Sequence, residues 1–217
     1  MPIDGDKAFD FTGNAMSFWL SEKPLLLASK SVARQALLRG AGIPFEAVPA
    51  DLDERQIERD SAHDAPDRVA LHLAQAKAMA LAAHYPDRIV VGADQTLALE
   101  DKRFSKPDNR AQAHTHLAAL SGKTHHLHAA FALVHHGRVI HADIASARLT
   151  MRVLSDEFIA NYLDAAGEAV FGSVGAYQLE GLGVHLFEAI EGDHSTILGL
   201  PLMPLLKALR DSGFLLK

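Results

Sequence analysis

Short apolar runs alternate with helix-like segments along this chain, and this alternation restricts the fold more than any other feature. The runs at 25–28, 45–48 and 88–92 have the length and composition of buried strands. An Ala- and Leu-rich segment at 67–84 precedes the third run, and Pro66 suits the first turn of a helix there. Interleaved strands and helices predict an α/β fold built on a mixed sheet.

The second half of the chain continues the pattern. Apolar and polar residues alternate over 125–151 on both sides of His136-Gly137, which predicts a β-hairpin. A helix capped by Asp108 is predicted before this hairpin, ending at Leu120. After it, we expect a helix at 155–166, a strand at 184–190 and a closing helix at 202–210.

The N-terminal segment differs from the rest. Residues 1–23 combine Asp, Gly, Asn and Ser with scattered aromatic residues and show no sustained period, which predicts a flexible extension. Trp19 and Leu20 are its side chains best suited to pack on the body. Residues 24–217 are predicted to form one domain, a size at which a single hydrophobic core suffices.

Composition excludes several classes of function. The chain has no cysteine, so disulfides and thiolate zinc sites are excluded. Its formal net charge is −6 and it has no basic run, which argues against a nucleic-acid partner. Its apolar runs are too short to span a membrane, and Asp4, Asp6 and Asp10 stand where a signal peptide needs positive charge. We therefore expect a cytoplasmic protein.

The junction between the first strand and the first helix is a candidate anion site. Helix N-termini expose free N–H groups and the positive end of the helix dipole. Ser29 and Ser31 add hydroxyl groups, and Arg34 lies within one turn, where it can bind phosphate oxygens. The alternative is that Ser31 only caps the helix and Arg34 is solvated.

Carboxylates and lysines further along the chain complete a candidate phosphate site. Asp94 follows the best strand in the sequence, where open α/β sheets bind ligands. Glu54 lies in an acidic pair in a predicted loop, Lys77 in the long helix, and Lys106 beside a proline. Carboxylates together with cations suit metal-assisted attack on a phosphate. Taken singly, Asp94 also fits a structural turn, and Glu54 fits a solvated loop. Lys77 alone fits a lysine whose ammonium group extends to water.

The thirteen histidines do not indicate a zinc site. His126 and His128 share one face of a predicted strand, but no third ligand is identifiable, and His114 and His116 point apart on a predicted helix. We expect solvated side chains instead. The sequence also contains neither a Gly-rich loop ending in Gly-Lys-Ser/Thr nor a Gly-x-Ser-x-Gly nucleophile motif.

Taken together, these segments resemble the Maf family of nucleoside triphosphate pyrophosphatases. The resemblance runs from about Leu25 to Gly213. The matching pieces occur in the family's order: Leu27-Ala28-Ser29 with Ser31 and Arg34, Asp53-Glu54, Ala76-Lys77-Ala78, Gly92-Ala93-Asp94, Lys106-Pro107, Leu120-Ser121-Gly122 with His125, Gly175-Ala176-Tyr177, Glu191-Gly192 and Gly199-Leu200-Pro201-Leu202.

The resemblance implies both a fold and a chemistry. The fold is an elongated, mixed-sheet, Maf/ITPase-like body with a cleft between two lobes. The activity is hydrolysis of nucleoside triphosphates to the monophosphate and pyrophosphate with a divalent metal (Mg²⁺, Mn²⁺ or Co²⁺). Whether the protein forms a homodimer is left open. Asp94 corresponds to the general base, with Glu54 as a second metal ligand. The phosphate- and metal-handling residues correspond to Ser29, Arg34, Glu54, Lys77 and Lys106.

Three positions bear on the nucleobase. Gln95 and Glu180 resemble the branch of the family that prefers 7-methyl-GTP, whereas the branch that prefers dTTP and UTP has Thr and Gln there. Ala33, however, stands where the 7-methyl-GTP branch has a large aromatic residue. Ser105 also replaces the glycine usual before Lys106. The preferred base therefore stays open.

Two other functions compete with this interpretation. One is a nucleotide-binding regulator of cell division and septation without catalysis. The other is a purine-selective pyrophosphatase of the inosine-triphosphate type, whose motifs are not evident here. The combination of Asp94, Glu54, Lys77 and Lys106 favours the enzyme, because a pure binder needs no acid–base chemistry.

Overall fold

A computed structural model describes residues 18–61 and 65–217 of the protein. Seven strands form one sheet within these ranges, and seven α-helices accompany it. The strands are β1 (Leu25–Ala28), β2 (Phe45–Ala47), β3 (Val90–Leu99), β4 (Lys102–Phe104), β5 (Thr124–His135), β6 (Arg138–Met151) and β7 (Phe187–Glu191). The helices are α1 (Val32–Gly40), α2 (Glu54–Asp60), α3 (Pro66–Ala82), α4 (Arg110–Leu120), α5 (Asp156–Ala166), α6 (His194–Ile197) and α7 (Leu202–Asp211).

The sheet mixes parallel and antiparallel pairing, which confirms the predicted α/β class. Its order is β2-β1-β3-β5-β6-β7, with β4 paired to β3 beside this path. The pairs β2–β1 and β1–β3 are parallel, since helices connect these strands, and the other pairs are antiparallel. The predicted hairpin is the pair β5–β6, with His136 and Gly137 both at positive φ in its turn.

The central strand β3 has a gap along one edge. On its other edge, β5 pairs with it continuously from Val90 to Ala98. On the gapped edge, β1 ends opposite Gly92, and β4 lies opposite residues 97–99 and ends at Phe104, opposite Leu97. Residues 93–96 therefore have no strand beside them on that edge. This stretch is called the notch below.

The notch corrects one expectation from the sequence. We expected the strand to end at Gly92 and Asp94 to follow it, but Asp94 lies inside a ten-residue strand. The polar residues 94–96 do not end the strand, because β5 still provides every backbone hydrogen bond on its side. The parallel partner β1 does end here, so Asp94 still lies just beyond the end of the parallel part of the sheet.

Helix α3 packs tightly on one face of the sheet. A Cβ built on Gly92 would lie 2.1 Å from the Ala74 carbonyl oxygen and 2.6 Å from the Ala78 nitrogen. Only glycine allows the helix backbone to approach β3 this closely. The contact fixes α3, and with it Lys77, over the notch.

The opposite face carries two separate hydrophobic clusters. The first joins β1, α1 and α7, and includes Val91 and Ala93 of β3. The second joins α4, α5 and the following turns, and includes Leu97. Because alternate residues of a strand share a face, Gln95 lies on this face between the two clusters. The predicted division into two lobes corresponds to these clusters.

The described part of the N-terminal segment packs on the body from Phe18 onward. Trp19 is buried, bridges to Leu215 and stacks on Phe214 at a ring distance of 6.2 Å. The rest of the predicted extension, residues 1–17, lies outside the described residues. No helix within the described ranges is long and apolar enough to cross a membrane.

Two further predicted boundaries were wrong. Helix α4 is capped by Asn109, whose side chain accepts from the Gln112 nitrogen, and not by Asp108. The last strand begins at Phe187 rather than at residue 184, because residues Leu182–Leu186 form a 3-10 turn. The turn hydrogen bond from Val184 to Gly181 takes a donor that a strand would need.

Candidate active site

The first wall of the notch is the junction between β1 and α1. Ser31 caps α1 and accepts from the Arg34 nitrogen at 3.3 Å. The Arg34 side chain is buried and crosses to the notch. Its Nη1 donates to the Ala93 carbonyl at 2.8 Å and to Ser29 Oγ at 3.2 Å, and its Nε donates to the Gly199 carbonyl at 2.8 Å. Arg34 thus joins three segments beside Asp94.

The charge of Arg34 is held in place by carboxylates. Burial lowers the pKa of Arg34, while the negative charges of Asp94 and Glu54 raise it. A guanidinium remains protonated despite such a shift. Its Nη2 donates no hydrogen bond to the described residues, so one side of the fork is available to an anion. The structure therefore places a desolvated positive charge where the sequence predicted phosphate binding.

Gly199 is a residue of this wall for which the sequence alone assigned no role. It has a φ of 91°, and a Cβ built on it would lie 3.3 Å from Arg34 Nε and Nη2. A side chain here would press on the guanidinium and strain the backbone. The signal in the sequence is the glycine in Gly199-Leu200-Pro201, but its contact with Arg34 spans 165 positions and depends on the fold.

The centre of the notch is an ion triad. Lys77 Nζ lies 2.6 Å from Asp94 Oδ1 and 2.7 Å from Glu54 Oε2. Lys77 and Asp94 are buried, and Glu54 is half exposed. The predicted set of Glu54, Lys77 and Asp94 is therefore brought together by α2, α3 and β3. Lys77 is not a lysine that extends to solvent: it bridges the two carboxylates.

The local structure around Glu54 corrects a further expectation. We expected Asp53-Glu54 to lie in a loop, but Asp53 caps α2 by accepting from the Gln56 nitrogen at 3.0 Å. Glu54 is the first residue of that helix, where a carboxylate interacts favourably with the helix dipole. The cap fixes the direction in which Glu54 enters the notch.

The two carboxylates converge on one cationic position. Two carboxylate oxygens within 2.7 Å of the same ammonium nitrogen are hard donors directed at a shared point. Mg²⁺ is commonly held by one or two carboxylates together with substrate phosphates. The donors of Glu54 and Asp94 therefore fit a divalent cation that brings its remaining ligands with the substrate.

Lys106 belongs to the segment that follows β4 at the other end of the notch. Phe104 of β4 pairs with Leu97, and the antiparallel direction leads the chain back along β3 toward residues 93–96. Lys106 follows two residues later, before the buried Pro107. It is exposed and makes no ion pair with the described residues. Its amine is thus free to meet a ligand.

Gln95 is hydrogen-bonded to a short helix near the C-terminal end of the chain. Its Nε2 donates to the carbonyls of Thr196 and Ile197, each at 3.0 Å. Asp193 caps that short helix, α6, and accepts from the backbone of Ser195. With both donors of Gln95 used, its Oε1 remains as the acceptor.

Two predicted residues stay apart from the triad. Glu180 is exposed in the loop after Tyr177, and Ala33 is half buried in the first turn of α1. Neither contacts Asp94. His126 and His128 stack at 5.8 Å, and the described ranges contain no group of three or more potential ligands for a metal.

Comparisons with known proteins give a consistent result. Residues 24–212 match the family model described as "Maf-like protein". A nucleoside triphosphate pyrophosphatase of Rhodopseudomonas palustris (strain HaA2) is 56% identical over 200 residues, which cover 92% of this chain and 99% of the relative. A 7-methyl-GTP pyrophosphatase of Rhizobium johnstonii is 52% identical over 191 residues, covering 87% and 96%.

Among solved structures, a dITP/XTP pyrophosphatase of Mycobacterium abscessus aligns over 86% of this chain and 93% of its own. Its identity is 16% and the TM-score 0.38, a likeness too weak to indicate a shared activity.

Proposed function

This chain belongs to the Maf family, and on that premise we propose that it hydrolyses nucleoside triphosphates to the nucleoside monophosphate and pyrophosphate. The observation that carries the proposal is the buried triad at the notch. Lys77 holds Asp94 and Glu54 at 2.6 and 2.7 Å, beside the desolvated Arg34. Cations for a polyphosphate and a carboxylate for water activation thus meet at one place.

The reaction can be assigned to residues of the site. Asp94 accepts a proton from water as the water oxygen bonds to the α-phosphorus. The bond from that phosphorus to the bridging oxygen breaks, and pyrophosphate leaves with the bonding electrons. Arg34, Lys77 and Lys106 stabilise the negative charge that develops on the phosphates. Ser29 donates its hydroxyl to a phosphate oxygen.

A divalent cation belongs to this proposal. Glu54 and Asp94 would hold it together with phosphate oxygens of the substrate. When bound, such an ion polarises a phosphoryl oxygen and neutralises charge. Lys77 already bridges both carboxylates, so Glu54 and Asp94 would hold such an ion while they remain paired with Lys77.

A preference for 7-methyl-GTP is the finer part of the proposal. One relative bears that name at 52% identity. The amide of Gln95 is fixed so that its oxygen is left to accept, and Glu180 adds an exposed carboxylate. Acceptors suit the N–H groups on the Watson–Crick edge of guanine. Ala33 offers no aromatic surface for stacking, so the apolar contact with the base must come from elsewhere.

A screen for pyrophosphate release tests the proposal. Purified protein is incubated with Mg²⁺ and dTTP, UTP, CTP, GTP, ITP or 7-methyl-GTP, and pyrophosphate and phosphate are measured separately. We expect pyrophosphate and the monophosphate in equal amounts. Release of phosphate and a diphosphate would place the attack on another bond. Tight nucleotide binding without any release would instead favour the regulator of septation.

A cytoplasmic location and a homodimer stay predictions.

A further inference from the structure

A buried hydrogen bond links the sheet to the loop that carries Glu180. His125, near the start of β5, is fully buried, and its Nε2 lies 2.7 Å from the hydroxyl oxygen of Tyr177. Phe187 packs against both rings, at 5.9 Å from His125 and 4.9 Å from Tyr177. This pair has no part in the chemistry described above.

The direction of this hydrogen bond follows from its surroundings. Nδ1 of His125 is buried and has no hydrogen-bond partner among the described residues. If Nε2 donated, the Tyr177 hydrogen and the Nδ1 lone pair would both be left unpaired. If Tyr177 donates, only the Nδ1 proton is unpaired. Burial lowers the pKa of His125 to about 4 and raises that of Tyr177, so both rings are neutral near pH 7. Tyr177 is therefore the donor.

The pair anchors a backbone that is strained just before the tyrosine and tightly folded after it. Gly175 and Ala176 precede it at φ values of 77° and 65°, the second being unfavourable for a residue with a Cβ. After Tyr177, a Cβ built on Gly183 would lie 2.3 Å from the Gln178 carbonyl, so the loop is closely folded on itself. Tyr162 Oη also donates to the Ala176 carbonyl at 3.4 Å, and Gln178 Nε2 donates to the Ala169 carbonyl at 3.2 Å. The hydrogen bond between His125 and Tyr177 ties this segment to β5.

The segment that leads into the loop lies next to the notch. Gly175 packs against Leu97, with the Leu97 Cδ1 2.5 Å from a Cβ built on the glycine. Leu97 and Gln95 are neighbours on one face of β3, about 7 Å apart along the strand. Within the loop, the exposed Glu180 is followed in sequence by Leu182 and Val184, which are 46% and 50% exposed. An acceptor beside exposed apolar surface suits a flat ring with N–H donors.

We propose that the His125–Tyr177 hydrogen bond positions residues 178–184 as the surface that selects the nucleobase, a guanine-type ring. The inference rests on the proposed function, since it assumes a nucleotide whose phosphates occupy the notch. His125 and Tyr177 are positioning residues: they touch the loop and not the ligand. Leu182 and Val184 supply the apolar contact that Ala33 does not provide.

Four variants test the proposal. Tyr177→Phe removes the donor, and His125→Met removes the acceptor at similar volume. His125→Gln keeps an acceptor that reaches the same position and is the rescue variant. Thr124→Val is the matched control, because it removes a hydrogen bond to Thr150 one residue away on the same strand without touching the loop.

Two readouts separate this proposal from the proposed function. The first is kcat and KM for GTP, 7-methyl-GTP and UTP, and the second is the Kd of their α,β-methylene analogues, which requires no turnover. We expect Tyr177→Phe and His125→Met to raise KM and Kd for the preferred base about 3- to 10-fold, the effect of one buried hydrogen bond. KM and Kd for the least preferred base, and kcat, should change less than about 2-fold. His125→Gln and Thr124→Val should match wild type in all of these quantities.

The outcomes are distinct. Weaker binding of every base to the same extent, or unchanged discrimination in both disruptive variants, would overturn the positioning role. A wild type that binds the three analogues equally would overturn it as well. Base-selective binding that Tyr177→Phe abolishes would support it even if the wild type released no pyrophosphate, a result that would contradict only the proposed function.

Discussion

Replacing Lys77 by methionine should reveal how strongly the triad is coupled. The variant keeps the length and most of the volume of the side chain but removes the ammonium group. Asp94, which is 9% exposed, then loses its partner at 2.6 Å. Removing one member of a buried ion pair costs about 3–5 kcal/mol. The Glu54 side chain is 51% exposed and can turn to water, so the loss of its ion pair with Lys77 adds little to this free-energy cost.

The lower end of that range, about 3 kcal/mol, is the value we expect for Lys77→Met. For a chain of this length it corresponds to a fall in Tm of about 6–12 °C. Adding Asp94→Asn to this variant removes the uncompensated charge, so the double variant should recover about 2 kcal/mol. The two substitutions thus form a double-mutant cycle with a large coupling energy.

Thermal and urea unfolding of the four proteins of this cycle measure the effect. Lys106→Met is the control, because Lys106 is exposed and unpaired among the described residues, and it should stay within about 0.5 kcal/mol of wild type. A Lys77→Met protein as stable as wild type, or a double variant without recovery, would refute the buried triad.

Three further predictions concern the frame, the pH dependence and the metal. Gly92→Ala should cost more than about 3 kcal/mol in unfolding free energy, because its Cβ would meet the Ala74 carbonyl at 2.1 Å, whereas Gly40→Ala, with no atom within 4 Å, should not destabilise. Burial lowers the pKa of His125 from 6.5 to about 4. Between pH 6.5 and pH 4 the unfolded state therefore binds a proton on His125 that the folded state does not bind. The stability present above pH 6.5 is thus lost as the pH falls toward 4. His125→Gln should therefore lose about 2 kcal/mol less than wild type between about pH 7 and pH 4.5 in urea titrations, and an equal loss would contradict the burial of this ring. EDTA should abolish pyrophosphate release and Mg²⁺, Mn²⁺ or Co²⁺ should restore it, while full turnover in chelator would remove the metal from the mechanism.

The sequence predicts local structure well where a signal is local. Ser31 and Ser155 cap the helices expected after them, and His136-Gly137 forms the expected hairpin turn. The prediction fails where strand pairing decides the length of a strand. Strand β3 continues through Asp94 because β5 lies beside it, and β5 begins about thirty positions later in the chain. Polarity alone gives no sign of a partner strand.

The candidate site shows the same limit. The residue types of Glu54, Lys77 and Asp94 suggest phosphate chemistry, but their convergence on one ammonium nitrogen depends on three elements meeting. Arg34 was expected to bind phosphate, and its contacts with Ala93 and Gly199 follow only from the fold. No local pattern in the sequence indicates the buried pair of His125 and Tyr177, since a histidine in a strand can be solvated as readily as buried.

Asp94→Asn separates a general base from a residue that only binds or supports the fold. The amide has the same shape but cannot accept a proton from water, and it removes a negative charge next to the bound phosphates. For the preferred nucleotide with Mg²⁺, kcat should fall by on the order of 10²-fold or more. The Kd for the α,β-methylene analogue should stay equal or become tighter, and the protein should remain folded. Near-normal kcat in a folded Asp94→Asn protein would contradict the catalytic assignment of Asp94.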